Sequence, residues 1–240
     1  MGNILSISQN PPNNNNKFPI SVDLRSFCPP VYSQGQLGTC TAHALTGLYG
    51  TLCNINNSDP NFLPSRLFLY FNEQIISGNP GVHIHDGIAS LKQNGVCSEY
   101  LWPYLEDAVK IKPPEDCYNL AKRHRVISAQ NVNQNLNEIK KLLIQQIPFA
   151  FGFNVYDNFH ESDFVTGIMK MPTASSKIIG YHAIMCAGYN DDCQSLLCRN
   201  SWGSDWGMDG YFWMPYEFVL NPKHCHEFWQ IDNFINSGVQ

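Results

Sequence analysis

The segment Gln34-Gly35-Gln36-Leu37-Gly38-Thr39-Cys40-Thr41-Ala42-His43 sets a thiol at the first turn of a stretch with helical periodicity, behind a loop loosened by two glycines. Unpaired N–H groups and partial positive charge at a helix N-terminus favour a thiolate, which lowers the thiol pKa and points to Cys40 as a nucleophile. Such a thiol needs a base, a group that orients the base, and donors for the oxyanion it creates. Gly180-Tyr181-His182-Ala183-Ile184-Met185 places His182 inside an apolar, strand-like run. Arg199-Asn200-Ser201-Trp202-Gly203-Ser204-Asp205-Trp206-Gly207 places an amide beside a tryptophan at a glycine-bounded turn. His43, one turn after Cys40, reads as a packed helix histidine rather than the base.

The elements that must position these groups fall into two halves. Helical periodicity runs from Thr39 to about Leu52, from Ser65 to Ile76 with Ser65 as the opening residue, and from about Asp86 to Gln93, stopping at Asn94-Gly95. Beyond the bend at Lys112-Pro113-Pro114, Val126 to Val132 reads as a strand, Asn135 to Gln146 as an amphipathic helix, and Phe149 to Val155 as a strand. Tyr181 to Tyr189, Ser195 to Arg199 and Gly210 to Met214 read as further strands. A helical half followed by a strand-rich half predicts an α+β fold with a site in the cleft between them.

A chain of 240 residues with 43% apolar and 12% aromatic residues can bury a sizeable core. A net charge of −5 leaves no basic footprint, so nucleic acid is not expected as a partner. Nine cysteines, an odd count, leave at least one thiol unpaired within a monomer. No secretory signal opens the chain, which predicts a cytoplasmic location (host cytoplasm or virion) and reduced thiols. Gly2 with Ser6 fits the myristoylation pattern, which would give at most weak membrane association. The polar tract Gln9 to Lys17 reads as disordered, with the folded part beginning near Phe18. Cys193 and Cys198, and His224-Cys225-His226, match no common zinc spacing, and Asp191-Asp192 reads as a solvated turn, so no metal or cofactor is expected.

Taken together in chain order, the motifs resemble the papain/cathepsin family of cysteine peptidases over about residues 18 to 235. Phe18-Pro19-Ile20-Ser21-Val22-Asp23-Leu24-Arg25 resembles the mature start of cathepsins, and Trp102-Pro103-Tyr104 resembles the family's Tyr-Pro-Tyr segment. Gln34, six residues before Cys40, stands where the family has its oxyanion glutamine, and Asn200-Ser201-Trp202-Gly203 matches its asparagine motif. The Cys40 and Pro64-Ser65-Arg66-Leu67-Phe68 segments are most similar to the xylellain-like bacterial branch and the viral, cathepsin B-like branch. The resemblance implies a two-lobed papain-like fold, with a helical lobe over about 27–125. Its partner is an antiparallel, barrel-like lobe over about 126–236 plus 18–26, the active-site cleft lies between them, and residues 1–17 form a tether or short pro-segment.

The resemblance implies that Cys40 attacks a peptide carbonyl, that His182 is its acid–base partner and that Asn200 orients the imidazole under the shield of Trp202. Gln34 and the Cys40 backbone N–H would form the oxyanion hole, and mild-acid to neutral activity on polypeptide substrates follows. Gly81, Val82, Gly152 and Ala183 take substrate-binding positions, and the small residues Gly152 and Ala183 predict a roomy pocket. No insertion with paired histidines follows Tyr104, which implies an endopeptidase; no long inhibitory propeptide precedes Phe18. Departures are Thr41 in place of an aromatic, Leu37 in place of a cysteine, and a shortened glycine-rich strand at Ser77 to His83. These departures motivate the alternatives of a silent binding or virion structural protein, or a transamidase on the same residues. The family's usual disulfides lack partners for Cys117 and Cys225, so the resemblance implies eight reduced thiols beside Cys40.

Overall fold

A computed structural model describes residues 4–6, 18–78, 82–159 and 167–237. The expectations for Gly2, for residues 7–17 and for Gly81 lie outside the described residues. In chain order the elements are β1 (Ile4–Ser6), β2 (Ser21–Asp23), α1 (Cys40–Ile55), α2 (Arg66–Ser77), α3 (Ile84–Gln93) and α4 (Glu115–Ala121). There follow β3 (His124–Asn131), α5 (Leu136–Ile144), β4 (Phe149–Tyr156), β5 (Ile178–Asn190), β6 (Ser195–Arg199), β7 (Tyr211–Pro215), α6 (Tyr216–Val219) and β8 (Cys225–Asn236).

Among the described residues the strands make one curled antiparallel sheet in the order β1-β8-β4-β5-β6-β7, with β2 on β5 and β3 on β8. Period-two alternation divides the strands between two cores. Phe149, Phe151, Phe153, Ile184, Cys186, Leu196 and Phe212 fill an inner core of the strand-rich lobe. Ala150, Ala183, Met185, Ala187, Leu197 and Tyr211 turn the other way, onto the helices. Helix α1 meets that second face and is buried at every position from Thr41 to Cys53, so it is a central helix rather than an amphipathic surface one. This is the two-lobed α+β arrangement that the sequence predicts.

Several elements differ from the sequence expectation, β1 and β8 among them. Residues 4–6, placed in the tail, form β1, whose Ile4, Leu5 and Ser6 pair with Ile235, Phe234 and Asn233. The cause lies in β8: β4 pairs it only up to Trp229, and β1 covers the polar backbone edge that continues beyond. The long strand β8 itself has no clean alternation in its sequence. A bulge lies where Ala150 faces Trp229 but Gly152 faces His226, and within it Glu227 takes a left-handed φ of 55°.

Helix α2 starts where its cap demands. The Ser65 hydroxyl accepts the Phe68 N–H at 3.1 Å and donates to the Trp102 carbonyl at 2.6 Å; Ser65 and Phe68 are wholly buried and Trp102 partly so. Ser65→Ala leaves the buried Phe68 N–H and the partly buried Trp102 carbonyl without this partner, a cost of about 1–3 kcal/mol. Urea unfolding should show that loss with an unchanged slope; a loss below about 0.5 kcal/mol would contradict the double role.

Candidate active site

The loop into α1 is fixed on both sides. Gln34 N–H donates to the Ser201 carbonyl at 2.8 Å, Gly203 N–H to the Tyr32 carbonyl, and the Tyr104 hydroxyl to the Gln34 carbonyl at 2.8 Å. Gly35 turns the chain at φ +58°, where a Cβ would stand 1.9 Å from the Glu106 carboxylate. Gly38, also expected to be needed, has ordinary backbone angles and open space around it. Only one of the two glycines is therefore a conformational requirement.

Thr39 precedes the helix without capping it. Its hydroxyl is engaged with the Tyr104 hydroxyl at 2.7 Å and His43 Nδ1 at 3.2 Å, which leaves the first N–H groups of α1 unclaimed. The backbone amides of Ala183, Thr41 and Cys40 act on the Cys40 sulfur and lower its pKa, yet burial outweighs them and pushes the thiol up. The sequence expectation of a depressed pKa is corrected here: dehydration of the cleft wall dominates the helix terminus. His43 faces away from the cleft, bonded through Nδ1 to the Thr39 carbonyl at 2.9 Å and pushed down to about 3 by burial, so it stays a neutral packing residue.

His182 on β5 sits between aromatic walls. The Trp202 ring lies over it at 4.9 Å between centroids, and Phe153 meets it edge-on at 5.6 Å. His182 Nε2 is 2.8 Å from Asn200 Oδ1, and the same oxygen accepts the Ser201 N–H at 2.8 Å. Because the Ser201 amide can only donate, the contacted Asn200 atom is the oxygen, and Nε2 must carry the proton. The Nδ1 lone pair is then the free one. Burial lowers the His182 pKa to about 4, against the opposing pull of the Asn200 bond.

Gln34 is oriented by the same segment. The Ser201 hydroxyl donates to Gln34 Oε1 at 2.6 Å, and Gln34 Nε2 donates one hydrogen to the Leu37 carbonyl at 2.8 Å. Its second N–H remains free to donate.

Cys40, Val82, Gly152, His182 and Ala183 wall one cleft of about 520 Å³. Thr41, His83, Ile84, Tyr181, His226 and Glu227 complete the wall, and sequence reasoning assigned none of them. His226 packs against Gly152, with its Nε2 3.0 Å from where a Cβ would be. All nine cysteines are free thiols. Burial pushes Cys53, Cys198 and Cys225 far up, which leaves them inert, whereas Cys40 opens onto the cleft.

The papain family cysteine protease profile matches residues 18–226. The peptidase C1-like protein L477 of Acanthamoeba polyphaga mimivirus is 34% identical over 221 residues, covering 85% of this chain and 71% of that protein. Viral cathepsin of Cydia pomonella granulosis virus is 28% identical over 76% of this chain and 53% of its own length. The chain thus spans about half of that relative. The crystal structure of xylellain, a cysteine protease from Xylella fastidiosa, superposes with a TM-score of 0.86 at 35% identity, over 93% of this chain and 90% of the other.

The Asn200 geometry predicts an observable tautomer. In the free protein His182 should show Nε2–H by ¹⁵N NMR at neutral pH and become an imidazolium only as pH falls through about 4. Protonation near the ordinary value of 6.5 would contradict the dry aromatic enclosure.

Proposed function

The chain belongs to the papain family of cysteine proteases, and from that membership we propose that it cleaves internal peptide bonds with Cys40 as nucleophile and His182 as acid–base partner. The observation that carries the reading is the Asn200 oxygen fixed by Ser201 N–H, which leaves the His182 Nδ1 lone pair free beside a thiol on the same cleft wall.

Cys40 passes its proton to His182 Nδ1, and the thiolate so formed bonds to the substrate carbonyl carbon. The backbone amides at the sulfur and the Asn200 oxygen at Nε2–H stabilise the resulting thiolate–imidazolium pair, opposing the burial that favours the neutral one. The free Nε2–H of Gln34 and the Cys40 backbone N–H receive the oxyanion. Collapse breaks the C–N bond, and the amine leaves with the proton held by His182. Water, deprotonated by the same imidazole, then attacks the thioester, and the released sulfur regains a proton. Trp202 keeps solvent from the His182–Asn200 bond.

An endopeptidase reading is supported by the segment after Tyr104. It turns through a short 3₁₀ helix at Glu106–Ala108, and none of residues 105–121 walls the cleft. Substrate backbone would then lie along Val82, Gly152 and Ala183, and polypeptides are the proposed substrate class.

An epoxysuccinyl thiol-protease inhibitor should add one equivalent to the native protein and none to Cys40→Ala, as read by intact mass. Labelling elsewhere would overturn the nucleophile. The reactive protonation state of the pair is lost as pH falls through the lower step, so the labelling rate should drop below about pH 4. Gln34→Ala should lower kcat on a peptide substrate about 10²–10³-fold. A change confined to KM would remove Gln34 from the oxyanion role.

A further inference from the structure

At one end of the cleft, three side chains that the peptidase chemistry does not use converge on one point. His83 Nδ1 lies 2.9 Å and His85 Nδ1 3.3 Å from the same Glu227 Oε1, and the three ligand atoms all fall within 4.8 Å of one another. Donors about 2.0–2.1 Å from a tetrahedral zinc stand about 3.3 Å apart, so this spacing needs only slight opening to admit a metal. The imidazole rings are near-parallel, with centroids 5.3 Å apart, and each brings its Nδ1 to the same carboxylate oxygen.

The surroundings hold the set in place. Glu227 Oε2 accepts the Ile84 N–H at 2.8 Å, which leaves Oε1 as the ligand atom. His85 Nε2 lies 3.4 Å from Asp86 Oδ1, the outer carboxylate that commonly orients a metal-bound imidazole. Glu227 reaches this point through the β8 bulge and its left-handed backbone, a conformation that non-glycine residues rarely adopt and that clusters at functional positions. The donors are two imidazoles and one carboxylate, the set that suits zinc-class divalent ions and leaves a coordination position open.

We propose that His83, His85 and Glu227 bind a divalent transition metal of the zinc class. The two histidines sit at the start of α3 in the helical lobe and Glu227 on β8 in the other, so the ion joins the two walls of the cleft. None of its ligands comes from His224-Cys225-His226 or the Cys193/Cys198 pair, whose spacings in the sequence match no common zinc site. The site does not depend on the peptidase reading, since none of its ligands takes part in that chemistry.

The test uses full-length Cys40→Ser protein, stripped with a chelator and titrated with Co²⁺ and then Zn²⁺. One equivalent of Co²⁺ should give visible d–d bands without a near-ultraviolet thiolate charge-transfer band, Zn²⁺ should displace it, and Zn²⁺ should raise the melting temperature. Glu227→Gln and His85→Ala should each weaken binding at least about tenfold, while His224→Ala leaves it unchanged. His85 is half-exposed, so its removal leaves the fold intact. Absence of binding in Cys40→Ser, or equal affinity in Glu227→Gln and its parent, overturns the proposal. A charge-transfer band in the wild type that vanishes with Cys40→Ser, with no binding left, would place the metal on the catalytic thiol instead.

Discussion

Helix α1 lies against β4 and β5 across a sheet face kept small by Ala150, Ala183 and Ala187, and the first residue of that helix is the thiol. Close packing leaves no slack in such a contact. Gly47 lets the Arg199 side chain cross the helix, since a Cβ there would stand 3.1 Å from its Nε. Arg199 then donates to the carbonyls of Pro29 and Pro30, which fixes the approach to the Gln34 loop. The depth at which α1 seats decides whether the Cys40 sulfur meets the Ala183 amide or stands clear of it. Cys40, the Gln34 loop and His182 are thus positioned by one helix–sheet contact.

That contact also sets the electrostatics. The same burial that holds the parts in register raises the Cys40 thiol and lowers the His182 imidazole, both against charge separation. What opposes it is a small set of fixed dipoles: the backbone amides at the sulfur and the Asn200 oxygen at Nε2–H. In a dry wall such dipoles act more strongly than in water and need no reorganisation as charge develops. Ser201 links the two ends of the site, because its amide fixes Asn200 and its hydroxyl fixes Gln34.

The helices and most strands of this fold are legible in the sequence because they alternate or repeat cleanly. Ser195 to Arg199 is found as predicted, and Asn135 caps α5 through the N–H groups of Asn137 and Glu138. Strand β8 escaped because its bulge interrupts the alternation, and α4 escaped because the two prolines before it read as a bend when Pro114 is its N-cap residue. At the site, the local motifs around Cys40, His182 and Asn200 single out those residues, whereas the cleft wall formed by His83, His226 and Glu227 is contributed by segments far apart in the chain. No local pattern announces such a meeting. The predicted direction of the Cys40 pKa failed for a related reason: a helix terminus is visible in sequence, but the depth of burial around it is not.

Thr41 shows how a departure from a family pattern acquires its own support. Its hydroxyl donates to Glu73 Oε1 at 2.7 Å, and Glu73, from α2, is wholly buried. Burial pushes the Glu73 carboxyl well above its usual range, with the nearby Cys40 adding to the rise, so it sits protonated behind Cys40 rather than as a competing anion. Gly87 on α3 makes the room, since a Cβ there would stand 2.8 Å from Glu73 Oε2 and 2.3 Å from a Leu45 methyl. Three helices therefore supply one residue each to a compact polar contact beneath the thiol. The neutral carboxyl matters most: an ionised one in that place would repel a thiolate at Cys40, so the acid is compatible with a charged sulfur there only because the wall around it is dry.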